Sequence, residues 1–530
     1  MGIYTAEMSG TRYTGDSVTP PSMNLLFFVE RLEDAHVAQA LTLSLRERLN
    51  ITSVSAVTFR QAPEGNYLLQ ETSGLFRKVL SETTMHTSAQ HVKPNQAFLD
   101  TLESRYGLPF WHYVTGNRFL SLTRANHRYD FGTTLSRDEL LAHVQVRFQM
   151  IERFLDEVKP DLILYPVDVG PSSALVLERV ARARGIPVFV PISSRLGSYH
   201  TLIDTVFSDA KNVEKRFRAL RGGLPSPSQS KAKDLIRQFR EGSLTLSYMG
   251  GAKTDNFENK VNLAGAAERV QTILKQRSNQ GMFKEKHGDE FNLSQLEYDL
   301  HRASIYSRSL RLRLGKYFAP PLADDKFVLF PFHVEPELSL LLYAPYHTHQ
   351  TSIVHNVAQS LPWDTTLYAK EHPLAIGTKP MGFYKRVKAM PNVRMIYPHV
   401  SSRALIAASQ GVVTITGTAG VEAMLLNKPV VVLGNVFYSF VPKLVQRATS
   451  VEELPSLLRA FETFTPDESL LETFVAALLD ESVDVDPEQL GKALRPLPLE
   501  DKLRHPLLER YASFLARAIT AWRPSEPVSR

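Results

Sequence analysis

Residues 412–434, VVTITGTAGVEAMLLNKPVVVLG, lie within the stretch 327–436 whose reading decides the fold. They read strand, glycine turn, helix, strand. Around them the apolar runs Phe327 to Phe330, Thr366 to Ala369, Val393 to Ile396, Val412 to Ile415 and Val430 to Leu433 alternate with segments of helical period. That alternation predicts a parallel sheet wrapped by helices. Such a sheet takes ligands beyond the carboxyl ends of its strands. The unusual polar residues stand at those ends: His333, Glu335 and Glu337 in FPFHVEPE (330–337), Lys370, Glu371 and His372 in YAKEHP (368–373), and then Thr416, Gly417, Thr418 and Glu422.

The first half of the chain repeats the pattern. Met23 to Val29 and Val54 to Phe59 read as strands flanking a helix from Glu33 to Leu49. The first turn, ERLEDAH (30–36), lacks the glycine fingerprint of a dinucleotide site, which argues against an NAD or FAD enzyme. A long amphipathic helix, Leu140 to Val158, leads to the strand Asp161 to Tyr165, a helix from Ala174 to Arg184 and a strand from Ile186 to Val190 ending in PISSRLGSYH (191–200). Between the two halves the composition turns charged and polar, with a loop at RGGLPSPSQS (221–230) and a helical pattern from Leu293 to Leu314. The expected organisation is a disordered tail over 1–22, a Rossmann-like domain over 23–211 and a helical insertion over 212–324. A second Rossmann-like domain over 325–450 and C-terminal helices over 451–530 complete it. The acidic stretch from Asp480 to Glu488 reads as a solvated loop. The basic, apolar-striped helix between Pro498 and Trp522 reads as crossing back onto the first domain, with a membrane surface as the alternative.

At 530 residues, 43% hydrophobic and 22% charged, the chain is long enough for two ordinary globular cores. It has no cysteine, which excludes disulfides, thiolate zinc sites and a cysteine nucleophile. A net charge of +6 suits an anionic ligand, an acidic glycan or an anionic membrane surface, and is also common in enzymes without any of these. No basic n-region or long apolar span is present, so the expected location is the cytoplasm, at most on the inner face of the membrane.

The strand ends suggest specific chemistry. In TITGTAGVEA (414–423) a strand delivers the chain to Thr416, Gly417 allows close backbone approach, and a helix starting near Thr418 turns its free N–H groups toward an anion. Glu422, four residues on, shares that helical face and could accept ribose hydroxyls. The plainer alternative is that the glycines serve turns and Glu422 caps local amides. In YAKEHP, Pro373 holds His372 extended at the strand exit, where it could donate to a phosphate, with Lys370 adding charge if it faces the cleft. Alternation in FPFHVEPE would put His333, Glu335 and Glu337 to one side as a nucleotide contact or acid–base cluster. A metal site including His347, His349 and His355 is the competing idea, but no zinc spacing matches, and no metal is expected. The pair Asp484 and Asp486 reads as part of the acidic loop. In the first half, Asp168 just past a strand end is the first candidate for a general base and Glu30 the second; Asp168 could instead cap the helix opened by Ser172 and Ser173.

The segments KFVLFPFHVEPELSLLLYAP (326–345), LYAKEHPLAIG (367–377) and VVTITGTAGVEAMLLNKPVVVLG resemble the capsule polysaccharide biosynthesis family of bacterial glycosyltransferases. The resemblance covers residues 325–440 and implies an α/β, GT-B-like architecture of two facing Rossmann-like domains, with 23–211 as the acceptor domain and 325–450 as the nucleotide-sugar domain. It also implies that His372 and Pro373, with Thr416, Gly417 and Thr418, bind the cytidine monophosphate of a CMP-sugar, with no further cofactor. The implied activity is transfer of Kdo or another acidic sugar to a capsule or cell-envelope polysaccharide or lipid acceptor. Implied partners are the nucleotide-sugar and the glycan or glycolipid, with no nucleic acid, and peripheral association with the inner membrane or the capsule assembly machinery. An Arg-Glu-Asp-Gly motif carried by some relatives is absent. Two alternatives share the architecture: a UDP-sugar 2-epimerase-like enzyme and a non-catalytic assembly or export factor.

Overall fold

The computed structural model describes residues 22–117, 120, 135–170, 172–244, 295–335 and 337–522. The expected tail up to residue 21, the polar run 122–134 and residues 245–294 of the central insertion therefore lie outside the described residues. Two sheets organise the chain. The first comprises β1 (Met23–Val29), β2 (Ile51–Thr58), β3 (Val79–Ser81), β4 (Leu162–Leu164), β5 (Val188–Ser193), β6 (Tyr199–Ile203) and, from far along the chain, β13 (Ser482–Asp484). The second comprises β7 (Phe327–Pro331), β8 (Thr366–Lys370), β9 (Val393–Ile396), β10 (Val412–Thr414), β11 (Val430–Val432) and β12 (Val445–Arg447).

Strand order is β13-β6-β5-β4-β1-β2-β3 in the first sheet and β12-β11-β10-β7-β8-β9 in the second. The second sheet is parallel throughout, as is the β3-β2-β1-β4-β5 part of the first. Both orders reverse direction beside their first strand, at β1/β4 and at β7/β10. These are the switch points at which a doubly wound sheet opens a crevice for a ligand.

Strand periodicity sends alternate residues to opposite faces, so a buried strand needs apolar residues at every position. In β1, Leu26 and Phe28 join the core cluster under the helices Arg137–Val158 and Ala174–Ala183, while Leu25, Phe27 and Val29 join the one under Leu32–Arg46. In the second sheet, Phe327 and Leu329 face one core and Val328 and Phe330 the other. Each such side chain, fully buried, stabilises the fold by about 1.5–3 kcal/mol.

The two domains face and touch each other. A Cβ on Gly116 would lie 2.8 Å from Leu342, and His112 meets Tyr346 ring to ring at 5.0 Å. The helices Lys211–Arg221 and Gln229–Glu241 pack on the helix Glu468–Asp480, tied by Arg216 to Asp480 (2.7 Å) and Arg240 to Glu468 (2.9 Å). These two helices of the central region are thus tied to the C-terminal helices.

Two readings of the sequence need correction. The stretch 480–488 is not merely a solvated loop: Ser482–Asp484 pairs antiparallel with β6 and extends the first sheet. Likewise PISSRLGSYH is not simply a strand end but the turn of a β5–β6 hairpin. The helix Pro506–Ala521 does cross back, burying Leu508, Tyr511, Leu515 and Ile519 with the helix Leu32–Arg46. That apolar stripe is therefore covered by the first domain. Lys502 fastens the return, its buried ammonium donating to His36 Nδ1 (2.8 Å), Tyr67 Oη (3.1 Å) and Gln39 Oε1 (3.2 Å). Among the described residues no helix is long and apolar enough to cross a membrane.

Candidate functional site

The second sheet's switch point is built around His333. Its backbone N–H donates to Gln350 Oε1 (2.8 Å) and its carbonyl accepts from Gln350 Nε2 (3.1 Å), which fixes the chain leaving β7. Its Nε2 accepts the N–H of Thr416 at 3.1 Å across the switch point. An acceptor Nε2 puts the ring proton on Nδ1, which is buried without a hydrogen-bond partner. Burial, with Lys379 and His372 nearby, pushes the imidazole down to about 3, so it is neutral at physiological pH.

The turn after β10 lies on that ring. Gly417 is required there: a Cβ would come within 2.7 Å of Thr414 Oγ1 and 3.4 Å of His333 Nε2. The Thr416 hydroxyl donates to Ser339 O (3.0 Å), the Gly417 N–H donates to Thr414 Oγ1 (3.0 Å), and the Tyr438 hydroxyl donates to Gly417 O (2.9 Å). Gly420 is glycine because a Cβ would run into the Tyr438 hydroxyl. Thr418 opens the helix Ala419–Leu425 with helical backbone and no side-chain cap, leaving its hydroxyl unused in capping.

The remaining predicted residues divide. Glu422, half-buried on that helix, is pushed up to about 7 by burial, with Lys370 and Arg403 pulling the other way. Lys370 is buried, donates to Pro398 O at 3.0 Å and is lowered to about 8 by burial against the pull of Glu371 and Glu422. It acts on the crevice as a nearby charge. His372 is half-buried, and its N–H donates to Glu371 Oε1 (2.9 Å); Pro373 opens a single helical turn, Pro373–Ala375. Glu371, wholly buried, accepts from Lys379 Nζ and Tyr384 Oη, each at 2.8 Å, and so locks the His-Pro turn.

The expectation that His333, Glu335 and Glu337 share one side is not met. β7 ends at Pro331, so alternation stops before them. Glu335 turns away to accept from Gln350 Nε2, and Glu337 begins the helix Leu338–Leu341, its carbonyl accepting from Leu340 and Leu341. His349 bonds Ser352, and His355 is exposed on the helix Gln350–Ser360. Among the described residues no three His, Asp or Glu side chains converge as a metal site.

In the first domain, Glu30 and Asp168 follow β1 and β4 and flank the other switch point. Glu30 is engaged: its Oε1 accepts from Ser172 Oγ (2.7 Å), and its carboxylate lies so close to Gly170 that no Cβ fits. That makes it the organiser of the turn rather than a free base. Asp168 does not cap the following helix. That task falls to Glu82, whose Oε2 accepts the Ser173 N–H (3.0 Å) while Oε1 receives Arg147 Nε (3.1 Å) and Asn117 Nδ2 (2.8 Å). Asp168 Oδ1 accepts the N–H of its neighbour, Val169, at 2.8 Å. Burial raises its carboxyl above the usual range, against the opposing pull of Arg195, the Val169 amide, His200 and Arg31.

Arg195, Tyr343, Tyr438 and Glu82 were not singled out from sequence. A lone arginine in a glycine-containing turn at a strand end was a signal for Arg195. For the others none existed, because their roles depend on what packs against them.

Residues 304–447 match the family model described as capsule polysaccharide biosynthesis protein. Protein FixF of Sinorhizobium fredii is 31% identical over 168 residues, covering 30% of this chain and 39% of FixF. Capsule polysaccharide modification protein LipB of Neisseria meningitidis is 26% identical over 170 residues, covering 30% of this chain and 38% of LipB. The chain thus spans about two fifths of the length of the curated relatives it matches. Among solved structures, the beta Kdo 2,7 transferase KpsC of Thermosulfurimonas dismutans is similar at TM-score 0.36 and 16% identity, over 66% of this chain and 84% of that one. The UDP-GlcNAc 2-epimerase of Methanocaldococcus jannaschii is similar at TM-score 0.28 and 14% identity, over 83% and 92% respectively. The matched residues 304–447 hold every strand of the second sheet and its switch point, so it is this part of the chain that is similar to the capsule polysaccharide biosynthesis family.

Proposed function

We propose that the protein is a glycosyltransferase that moves Kdo or a similar acidic sugar from a CMP donor to a capsule or cell-envelope glycan or lipid acceptor, without a divalent ion. The observation that carries this reading is the pairing of two switch points. One presents His333, the Thr416–Thr418 turn, Lys370, His372 and Glu422; the facing one presents Asp168 and Arg195. The match of residues 304–447 to the capsule polysaccharide biosynthesis model supports the capsule assignment.

In the proposed reaction the nucleotide lies on the turn after β10, its ribose toward Glu422 and its phosphate toward His372. Asp168 takes the proton of an acceptor hydroxyl as that oxygen bonds the anomeric carbon, and CMP departs with the electrons of the broken C–O bond. Charge building on the phosphate meets the field of Lys370.

The test is incubation with CMP-Kdo or UDP-GlcNAc, with and without EDTA, followed by nucleotide and sugar analysis. CMP release that survives EDTA and falls by about 10²-fold or more in Asp168→Asn is expected. Epimerised UDP-sugar, or loss of activity in EDTA with recovery on adding Mg²⁺, contradicts the proposal.

A further inference from the structure

The β5–β6 hairpin holds one residue in a conformation its side chain disfavours. Arg195 has φ of 63°, the left-handed region where a non-glycine residue is uncommon. The surrounding turn enforces it. Arg195 N–H donates to Ser193 Oγ (3.2 Å), Leu196 N–H to Ser194 Oγ (3.2 Å), and Ser194 gives both its N–H (2.9 Å) and its hydroxyl (2.7 Å) to Tyr199 O. A glycine would fit without strain, and the neighbouring turn position, Gly197 at φ 57°, is one. Strain kept at a strand's carboxyl end motivates a search for what the side chain reaches.

β5 lies parallel beside β4 in register Leu164 with Phe189, so its end opens on the same crevice as Asp168. The guanidinium charge acts on Asp168 and, across the domain boundary, on Tyr343 and Tyr438. Tyr438 in turn bonds the carbonyl of Gly417. The hairpin turn thus carries Arg195 past the end of a strand that lies beside β4, with its charge felt by the candidate base on one sheet and by Tyr343 and Tyr438 of the other domain. In the donor reading above, the sugar lies between the nucleotide turn and that base.

Resting on the donor reading above, we propose that Arg195 is the specificity-determining residue for the sugar, receiving the carboxylate of a sugar acid on its guanidinium while the second domain holds the nucleotide. A planar guanidinium offers a carboxylate two parallel hydrogen bonds, which a neutral sugar cannot use. This role separates recognition of the sugar from recognition of CMP.

Calorimetric titrations of CMP and CMP-Kdo into wild type, Arg195→Gly and Arg195→Lys test it. The glycine variant relieves the backbone and should melt at or above wild type, so loss of fold does not confuse the result. Expected are CMP affinities within about twofold of wild type for both variants and CMP-Kdo affinity lower by about tenfold or more in Arg195→Gly. Arg195→Lys, charged but without the fork, should fall between. Parallel loss of both affinities, or an unchanged preference for CMP-Kdo, overturns this assignment alone. A wild-type protein that binds neither nucleotide overturns the donor reading and the assignment with it.

Discussion

His333 illustrates how one residue joins two strands. As a neutral imidazole it accepts the Thr416 N–H, so His333→Ala should leave that buried donor unpaired and lower stability by about 1–3 kcal/mol. His333→Gln, with an acceptor at the same distance along the side chain, should recover part of the loss in denaturant unfolding; an alanine variant as stable as wild type would show the bond to be unimportant. Protonation has a definite sign here. His333 sits near 3 when folded against an ordinary 6.5, so its contribution is complete above pH 6.5 and is lost as pH falls toward 3. Glu422 runs the other way: raised to about 7 from 4.5, it favours the folded state while protonated, and that advantage disappears as pH rises through 7. Glu422→Gln should therefore melt above wild type at pH 8 and beside it at pH 4.5. Matching melting curves at pH 8 would show the carboxylate to be well solvated. The candidate residues were legible by position, since a turn of Thr, Gly and Thr after an apolar run marks a strand's carboxyl end. Their partners were not, because the Thr416 N–H is received by His333, 83 residues earlier, and Gly420 is fixed by the Tyr438 hydroxyl.

Elements in this protein are held by buried groups that no local pattern reveals. The helix Ala174–Ala183 starts on Ser173, whose N–H is received by Glu82 from the start of the helix Glu82–Ala89, and Glu82 is itself paired with buried Arg147. Glu82→Gln removes the charge opposite a guanidinium that is 1% exposed, so a loss of about 3–5 kcal/mol is expected from denaturant midpoints. A loss below about 1 kcal/mol would mean that Arg147 finds other compensation. The apolar runs of the parallel strands were readable because both their faces are buried. β13 (SVD) carries polar residues at the sheet edge, where only pairing with β6, 280 residues earlier, defines it as a strand. The acidic composition around β13 suggested solvent, and the pairing with β6 overrode it.

At the scale of the whole molecule, the doubled order of strands was legible as two alternating halves, and the return of the last helix followed from its apolar stripe. The way the halves meet was not. It depends on Arg240, which pairs with Glu468 and donates to Leu425 O (2.8 Å) at the end of the switch-point helix, and on Tyr511, whose hydroxyl reaches Pro166 O (3.1 Å) two residues before Asp168. Linker and C-terminal helices thereby brace the two loops on which the proposed chemistry depends. The central claim assigns the nucleotide to the second sheet and the base to the first. Calorimetric titration of CMP into wild type, His372→Ala and Asp168→Asn tests that division most directly. The account predicts binding by wild type, affinity weaker by about tenfold or more in His372→Ala, and wild-type affinity in Asp168→Asn. Binding lost in Asp168→Asn but retained in His372→Ala would place the nucleotide on the wrong sheet and contradict it.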